Sequence, residues 1–240
     1  MRKNDGTNRL LVLFAITAQR ISFQTFGYPL PGLPFANGLE LVENYNSSWL
    51  LILFSYFPIP FILFEFWGRG RKLTEGYGKV LLIRSYKRSR LCIQTIVHIL
   101  LELAGITAVQ ILIFSIGELG WHMLTNEEML KTIAAYYAGL GALILLQFYL
   151  EMFGESDYSN IAVNIYFIVS IFTGEALIRL KGAKRLLVLL FPNFMFGRRN
   201  GALAVGDINI KFAYAMAALI ITSLLFGILS VLKFQKKDIY

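Results

Sequence analysis

Long uninterrupted apolar stretches constrain this chain more than any other feature. Several approach the roughly 20 residues that an α-helix needs to cross a hydrocarbon core. Their apolar residues are continuous and do not alternate at every second position, which favours helices over a membrane barrel. Charged residues occupy 16% of the 240 positions and hydrophobic ones 56%, whereas soluble domains are about one-quarter charged. The sequence therefore predicts an all-α integral membrane protein, with residues 1–240 forming one transmembrane domain.

Six segments are predicted to span the membrane. They are residues 10–26, 48–67, 91–116, 129–153, 161–178 and 210–232. The first contains Gln19 and Arg20, so it spans only if Arg20 reaches the far interface or faces the bundle. Before the sixth span, residues 186–196 are apolar but too short to cross, and Pro192 interrupts them. This pattern favours a short re-entrant or interfacial helix.

Small residues and two glutamates mark the second and fourth spans. Gly139 and Gly141 in the fourth span allow close helix approach, either within one chain or between subunits. Glu65 and Glu151 stand near the ends of the second and fourth spans. An interfacial position is enough to explain both carboxylates, with a role in substrate binding as the open alternative.

Basic residues are crowded between the second and third spans. Eight of them are Arg69, Arg71, Lys72, Lys79, Arg84, Lys87, Arg88 and Arg90. Such a loop is typical of a cytosolic face, and six spans then place both termini in the cytosol, with the bundle in the cell membrane. The link 179–199 carries six further basic residues although alternation places it outside, so its side is left open. The net charge of +8 is assigned to anionic lipid and a cytosolic partner, with no nucleic acid.

Motifs for nucleotide or peptide hydrolysis do not occur in the sequence. Neither GxxxxGK[ST] nor HExxH is found, so no catalytic residue, no metal site and no enzymatic activity are predicted. His98 and Glu102 are four residues apart and share a helix face, which favours interhelical hydrogen bonding, with a proton relay or metal pair as the alternative. Glu127 and Glu128 leave intramembrane proteolysis as a weaker alternative, because neither histidine follows them.

Four features taken together resemble a known family. They are the basic loop 77–90 (YGKVLLIRSYKRSR), the short loop 154–158, the proline-broken segment before the sixth span, and the tail 234–239 (FQKKDI). With the six spans, they resemble over the whole chain the ABC-2-type permease subunits of bacterial ABC transporters. The closest similarity is to the small permeases of bacteriocin, lantibiotic and other antimicrobial-peptide export or immunity systems.

This resemblance implies the transmembrane permease subunit of an ATP-driven exporter. Two copies of a separate ABC ATPase would hold ATP and Mg²⁺, a second permease subunit would complete a homo- or heterodimer, and this chain itself would carry no cofactor. The substrate would be an amphiphile, such as an antimicrobial or toxic peptide. The ATPase-coupling residues that the resemblance implies are Glu75, Tyr77, Arg84, Tyr86, Gly154, Glu155, Ser156 and Asp157.

Two other interpretations of the basic loop stay open. The loop can simply hold anionic lipid, which is worth about 1 kcal/mol per charge near the surface. The chain can also be a stand-alone membrane immunity protein that binds a toxin or a lipid without energy coupling. A retained ATPase subunit distinguishes the exporter from both.

Overall fold

The computed structural model describes residues 3–25, 33–38, 56–75, 87–116, 126–179, 183–203 and 210–236. These residues are mostly helical, and no β-strand occurs among them. In chain order the elements are α1 Lys3–Thr25, α2 Pro34–Asn37, α3 Pro58–Glu65, α4 Arg69–Glu75, α5 Arg88–Ser115, α6 Glu127–Leu150, α7 Ser156–Arg179, a 3₁₀ segment Ala183–Met195, α8 Gly197–Asn200 and α9 Phe212–Lys236.

Among the described residues, three helices are long and apolar enough to cross a membrane: α5 with 28 residues, α6 with 24 and α9 with 25. They coincide with the third, fourth and sixth predicted spans, which confirms an all-α protein with membrane-capable helices. α1 and α7 have 23 and 24 residues, but over the ranges described above they do not join this apolar group. The count of six spans therefore stays a prediction.

The second predicted span is described only in its last part, because residues 48–55 lie outside the described ranges. Pro58 is the first residue of α3, a position where its missing N–H removes no helical hydrogen bond. α3 ends at Glu65, and Gly68 then has a φ of 74°, a left-handed conformation that glycine adopts without steric cost. The chain thus turns into α4 at the predicted end of the span.

α6 lies at the centre of the bundle. It packs against α9, α7, α5 and the 3₁₀ segment, and its second half is almost entirely buried. α5 and α9 instead expose large apolar side chains on their outer faces, including Leu101, Leu112, Ile221 and Leu224. An apolar outer surface around a packed interior is what a lipid environment requires.

Contacts between helix ends fix the directions of the helices. Arg88 at the start of α5 donates a hydrogen bond of 3.1 Å to the carbonyl of Gln235 near the end of α9. The Lys233 ammonium of α9 lies 4.1 Å from the centre of the Phe153 ring, just beyond α6. The start of α5, the end of α6 and the end of α9 therefore meet. We call this part of the bundle, defined by Arg88, Phe153 and Lys233, the basic end.

The 3₁₀ segment packs against the middle of α6 and α7. Helical geometry breaks at Leu190, with φ −108° and ψ 49°, shortly before Pro192, which lacks the N–H that a helix needs. The Tyr166 hydroxyl donates to the Leu189 carbonyl at 2.8 Å, and Asn193 donates to the Ser170 carbonyl at 2.8 Å. These two hydrogen bonds hold the short apolar segment, predicted at residues 186–196, inside the bundle.

Gly139 provides the space for this segment. A Cβ at Gly139 would overlap the Met195 side chain, and a Cβ at Gly141 would be in van der Waals contact with Leu100 of α5. Two of the small residues of α6 are thus used for packing within one chain, which is the first of the two uses that the sequence left open.

Replacing Gly139 by alanine is expected to destabilise the protein by about 1–3 kcal/mol, because overpacking a filled site forces its neighbours apart. Gly227→Ala is the matched control, since a Cβ at Gly227 of α9 meets no atom within 4 Å. Thermal unfolding in mild detergent should give a lower Tm for Gly139→Ala and an unchanged or slightly higher Tm for the control. Equal Tm values for the two variants would show that the contact with Met195 is not tight.

Candidate functional site

Five ionisable side chains from four helices form one contact network, which we call the charged cluster: Arg9, Glu65, Arg69, His98 and Glu102. Glu102 is its centre, with one carboxylate oxygen 2.7 Å from Arg69. Its other oxygen is 3.2 Å from His98 Nε2 and 3.5 Å from Arg9. Arg9 also lies 3.4 Å from Glu65. The predicted pair of His98 and Glu102 is therefore one edge of a network that joins α1, α3, α4 and α5.

The depth of the cluster distinguishes it from a surface ion-pair group. Glu102 lies near the middle of α5, a helix that is long enough to cross a membrane. Its side chain is 18% exposed and that of Glu65 is 3% exposed. Ionisable groups at such a depth are costly, and they commonly mark a binding site or a transport pathway.

Glu65 holds an unsatisfied acceptor. Its Oε1 contacts Arg9, but its buried Oε2 has no hydrogen-bond partner among the described residues. A buried polar atom without a partner costs about 1–3 kcal/mol. Glu65 was expected near a membrane interface, and the structure adds that its carboxylate is enclosed by protein.

An apolar cavity of about 380 Å³ adjoins the two carboxylates and Arg9. Its apolar wall comes from α1 and α5 and consists of Val12, Leu13, Ile16, Gly105, Ile106 and Val109. Leu13 and Gly105 are exposed on the outer side of the bundle, so the cavity opens laterally between the two helices. Its volume falls at the lower end of the range for small-molecule sites, about 300–1,000 Å³.

Helical spacing explains why these residues lie on the facing sides of α1 and α5. On α1, Arg9, Val12, Leu13 and Ile16 recur at intervals of three and four residues and therefore face the same way. On α5 the same spacing places Glu102, Gly105, Ile106 and Val109 on one face. The two faces meet along the cavity, and the acids lie at one end of it.

Further along the interface between α1 and α5, the contact is polar and buried. Gln110 of α5 donates to Gln19 of α1 at 3.3 Å and accepts from the Tyr136 hydroxyl at 3.2 Å. Arg20 donates to the carbonyls of Ile113 and Ile116 at the end of α5. The two polar residues that made the first predicted span uncertain therefore face the bundle.

A second feature of the structure lies at the basic end and depends on Glu151. Its carboxylate accepts hydrogen bonds from the backbone N–H groups of Gly68 at 2.8 Å and Gly70 at 2.7 Å. Gln147 donates to it at 3.2 Å. Glu151 is 1% exposed, so its carboxylate is enclosed by protein at the end of α6. The carboxylate joins the start of α4 to the end of α6.

The predicted coupling residues fall partly within this region. Ser156 is buried and its Oγ lies close to Gly68, so the start of α7 adjoins the turn before α4. Of the predicted coupling residues near it, Gly154, Glu155 and Asp157 are exposed. Glu75 is the last residue of α4. The remaining predicted coupling residues, which lie outside the described ranges, are Tyr77, Arg84 and Tyr86.

The acids considered for proteolysis lie in another environment. Glu127 is 80% exposed on the first turn of α6 and pairs with Lys131 at 2.6 Å. Glu128 donates its backbone N–H to the Asn126 side chain at 3.0 Å, which is a helix cap. Within the described ranges no group of three or more His, Cys, Asp or Glu residues is arranged to hold a metal ion.

Comparison with known proteins places the chain in a family. Residues 10–240 match the family described as "Protein of unknown function (DUF2705)", and the chain belongs to it. That range contains four members of the charged cluster and begins one residue after Arg9. The chain is 27% identical over 214 residues, 85% of each chain, to "Uncharacterized protein YybK" of Bacillus subtilis (strain 168). No solved structure matches it.

Proposed function

We propose that this member of the DUF2705 family is the transmembrane permease subunit of an ATP-driven exporter that moves an amphiphilic substrate. The observation that carries the proposal is the pair of hydrogen bonds that the Glu151 carboxylate accepts from the backbone N–H groups of Gly68 and Gly70. It joins the start of α4, which precedes the first loop in which ATPase contacts are expected, to the end of α6, which precedes the second. Two separate loops must lie side by side if one soluble subunit is to hold both.

The same hydrogen bonds of Glu151 offer a route for mechanical coupling. α4 opens the basic loop, and its first turn is hydrogen-bonded to the end of α6. α6 in turn packs against α5, α7, α9 and the 3₁₀ segment. A displacement of the basic loop by an ATPase would therefore act on the central helix. ATP binding would shift the population of permease conformations through its preference for one ATPase arrangement.

In this proposal the basic end faces the cytosol of a bacterial cell. The end of α9 carries Lys233 and Lys236, and the start of α5 carries Arg88 and Arg90, in keeping with the positive-inside rule. α1 runs in the same direction as α5, because Arg9 contacts Glu102 and Arg20 contacts the end of α5. Six spans with cytosolic termini and a re-entrant segment at 186–196 complete the proposed topology. The ATPase pair binds at the basic end, and ATP and Mg²⁺ remain in that partner.

Charge reversal in the exposed loop tests the proposed docking surface. Glu155→Lys and Asp157→Lys alter two exposed side chains at the basic end, and each is expected to lower the amount of ATPase that copurifies with the tagged chain in mild detergent. Reversed charge at an interface slows association and opposes binding. Glu127→Lys is the matched control, because Glu127 is exposed at the other end of α6 and its reversal should leave retention unchanged.

A stand-alone immunity protein is the second candidate function. The lateral cavity beside the charged cluster favours it, because a binding site of this kind needs no motor. Protection of cells that lack every candidate ATPase partner, at the level seen in cells that contain them, would support this candidate and contradict the exporter.

A further inference from the structure

We propose that the cavity between α1 and α5 binds a single-chain amphiphile with a primary ammonium head, which enters laterally from the bilayer. The ammonium pairs with Glu65 and the apolar chain lies along the wall formed by Val12, Ile16 and Val109. This site is independent of any ATPase, so the inference goes beyond the proposed exporter and does not rest on it.

The charge of the head group follows from the oxygen of Glu65 that has no hydrogen-bond partner among the described residues. Glu65 Oε2 is a buried carboxylate oxygen with no hydrogen-bond partner among the described residues, and Glu65 lines the cavity. An N–H donor satisfies it once the carboxyl group turns toward the cavity, whereas an anionic head would meet two carboxylates. The guanidinium of Arg69 is already held by Glu102 at 2.7 Å. The vacancy therefore selects a cationic donor.

Arg9 is the cation with which such a ligand would compete for the Glu65 carboxylate. Its side chain is 63% exposed, and its contacts with Glu65 and Glu102 are 3.4 and 3.5 Å long. These are longer than the 2.7–2.9 Å of a strong charge-assisted hydrogen bond. A compact ammonium with three donors can approach Glu65 more closely than this shared guanidinium does.

The volume and the position of the cavity suit a ligand with one apolar chain. A cavity of about 150 Å³ lined by aliphatic side chains is large enough for benzene, and this one measures about 380 Å³. Exposed Leu13 and Gly105 at its mouth face the outside of the bundle, where the chain of a membrane-dissolved amphiphile would lie. A two-chain phospholipid also carries a phosphate, which the two carboxylates would repel.

Decylammonium binding to the purified full-length chain in phosphatidylcholine nanodiscs tests the proposal, with empty nanodiscs subtracted. We expect saturable binding of decylammonium and at least about tenfold weaker binding of decanol and decanoate, because only the ammonium supplies the charged donor. Equal binding of the three compounds, or binding that phosphatidylethanolamine in the disc abolishes, would overturn the proposed ligand class.

Opposite changes in two variants separate a binding role from a structural one. Glu65→Gln should weaken decylammonium binding by about tenfold or more, and Arg9→Gln should strengthen it by removing the competing cation. If the cluster only supported the fold, both substitutions would weaken binding or leave it unchanged, and the proposal would fail.

A blocking variant keeps the test valid if a cluster variant does not fold. Gly105→Leu places a side chain at the open mouth of the cavity, where a Cβ meets no atom within 4 Å, and should abolish decylammonium binding. Gly227→Leu is the control on α9, where a Cβ likewise meets no atom within 4 Å, and should retain it. Retained binding in Gly105→Leu would place the ligand elsewhere and refute the site.

Discussion

Glu151→Ala is expected to lower the free energy of unfolding by about 2–5 kcal/mol and to release α4 from the end of α6. The substitution removes a charged acceptor from the N–H groups of Gly68 and Gly70, and each such hydrogen bond is worth about 1.5–3 kcal/mol. Gly70 is buried, so water cannot replace the lost acceptor without local opening. Hydrogen exchange of the amides at the start of α4 should therefore accelerate together with the loss of stability.

Two further variants make this result specific. Glu151→Gln keeps one oxygen acceptor but turns an NH₂ toward the second backbone N–H, so it should fall between the wild type and Glu151→Ala. Glu155→Ala removes an exposed carboxylate four residues further along the chain, and its stability should stay within about 0.5 kcal/mol of the wild type. Unchanged amide exchange at Gly68 and Gly70 in Glu151→Ala would show that the carboxylate does not hold α4.

The coupling proposal adds a functional expectation for the same variant. If α4 transmits motion to α6, the ATPase should still bind the exposed loop in Glu151→Ala, but its turnover should no longer respond to substrate. Loss of the ATPase itself would instead show that the docking surface depends on the contacts of Glu151. The measurement is ATP turnover of the copurified complex with and without substrate, compared with Glu155→Ala.

Much of the helical framework was predictable because membrane helices are encoded locally. Apolar length alone predicts α5, α6 and α9, since a hydrocarbon core sets a minimum run of residues. Pro192 and the short apolar length of residues 186–196 predict that this stretch does not form a full span. The spacing of His98 and Glu102 places them on one face of α5. Each of these predictions needs only residues within a few turns of each other.

The partners of the buried acids were not predictable from local sequence. Glu65 and Glu151 stand near helix ends, and such positions fit a membrane interface equally well. Their actual contacts are distant in the chain: Arg9 is 56 residues from Glu65, and Gly70 is 81 residues from Glu151. A helical pattern specifies which face is polar, but it does not specify which other helix that face meets. The polar residues on one face of α1 and on one face of α5 were a signal in the sequence. They form a site only because the two faces pack against each other.

The pairing of Glu102 with Arg69 leads to the second large effect. Glu102→Leu leaves Arg9 and Arg69 with Glu65 as their remaining acid in the charged cluster, and Arg69→Met leaves two acids with Arg9 and His98. Removing one partner of a buried ion pair costs about 3–5 kcal/mol. The side chains here are 18% and 19% exposed, which reduces the expected loss to about 2–4 kcal/mol for each single variant.

The double variant Arg69→Met with Glu102→Leu is expected to recover much of this loss. It removes one charge of each sign, so that Arg9 and Glu65 remain as a neutral pair, and apolar replacements of similar volume can substitute for a buried ion pair. The coupling energy from unfolding of all four proteins in detergent should be about 1–3 kcal/mol. Strictly additive losses would show that Glu102 and Arg69 act separately.

A surface pair provides the comparison for this cycle. Glu127 and Lys131 are also in contact, at 2.6 Å, but Glu127 is 80% exposed, and exposed pairs contribute little because water already solvates both charges. Glu127→Leu, Lys131→Met and their combination should all unfold with the Tm of the wild type. A difference between the two cycles would assign the coupling energy to the low-dielectric position of the charged cluster. That same position makes Glu65 Oε2, which has no partner among the described residues, a strong acceptor for an incoming cation.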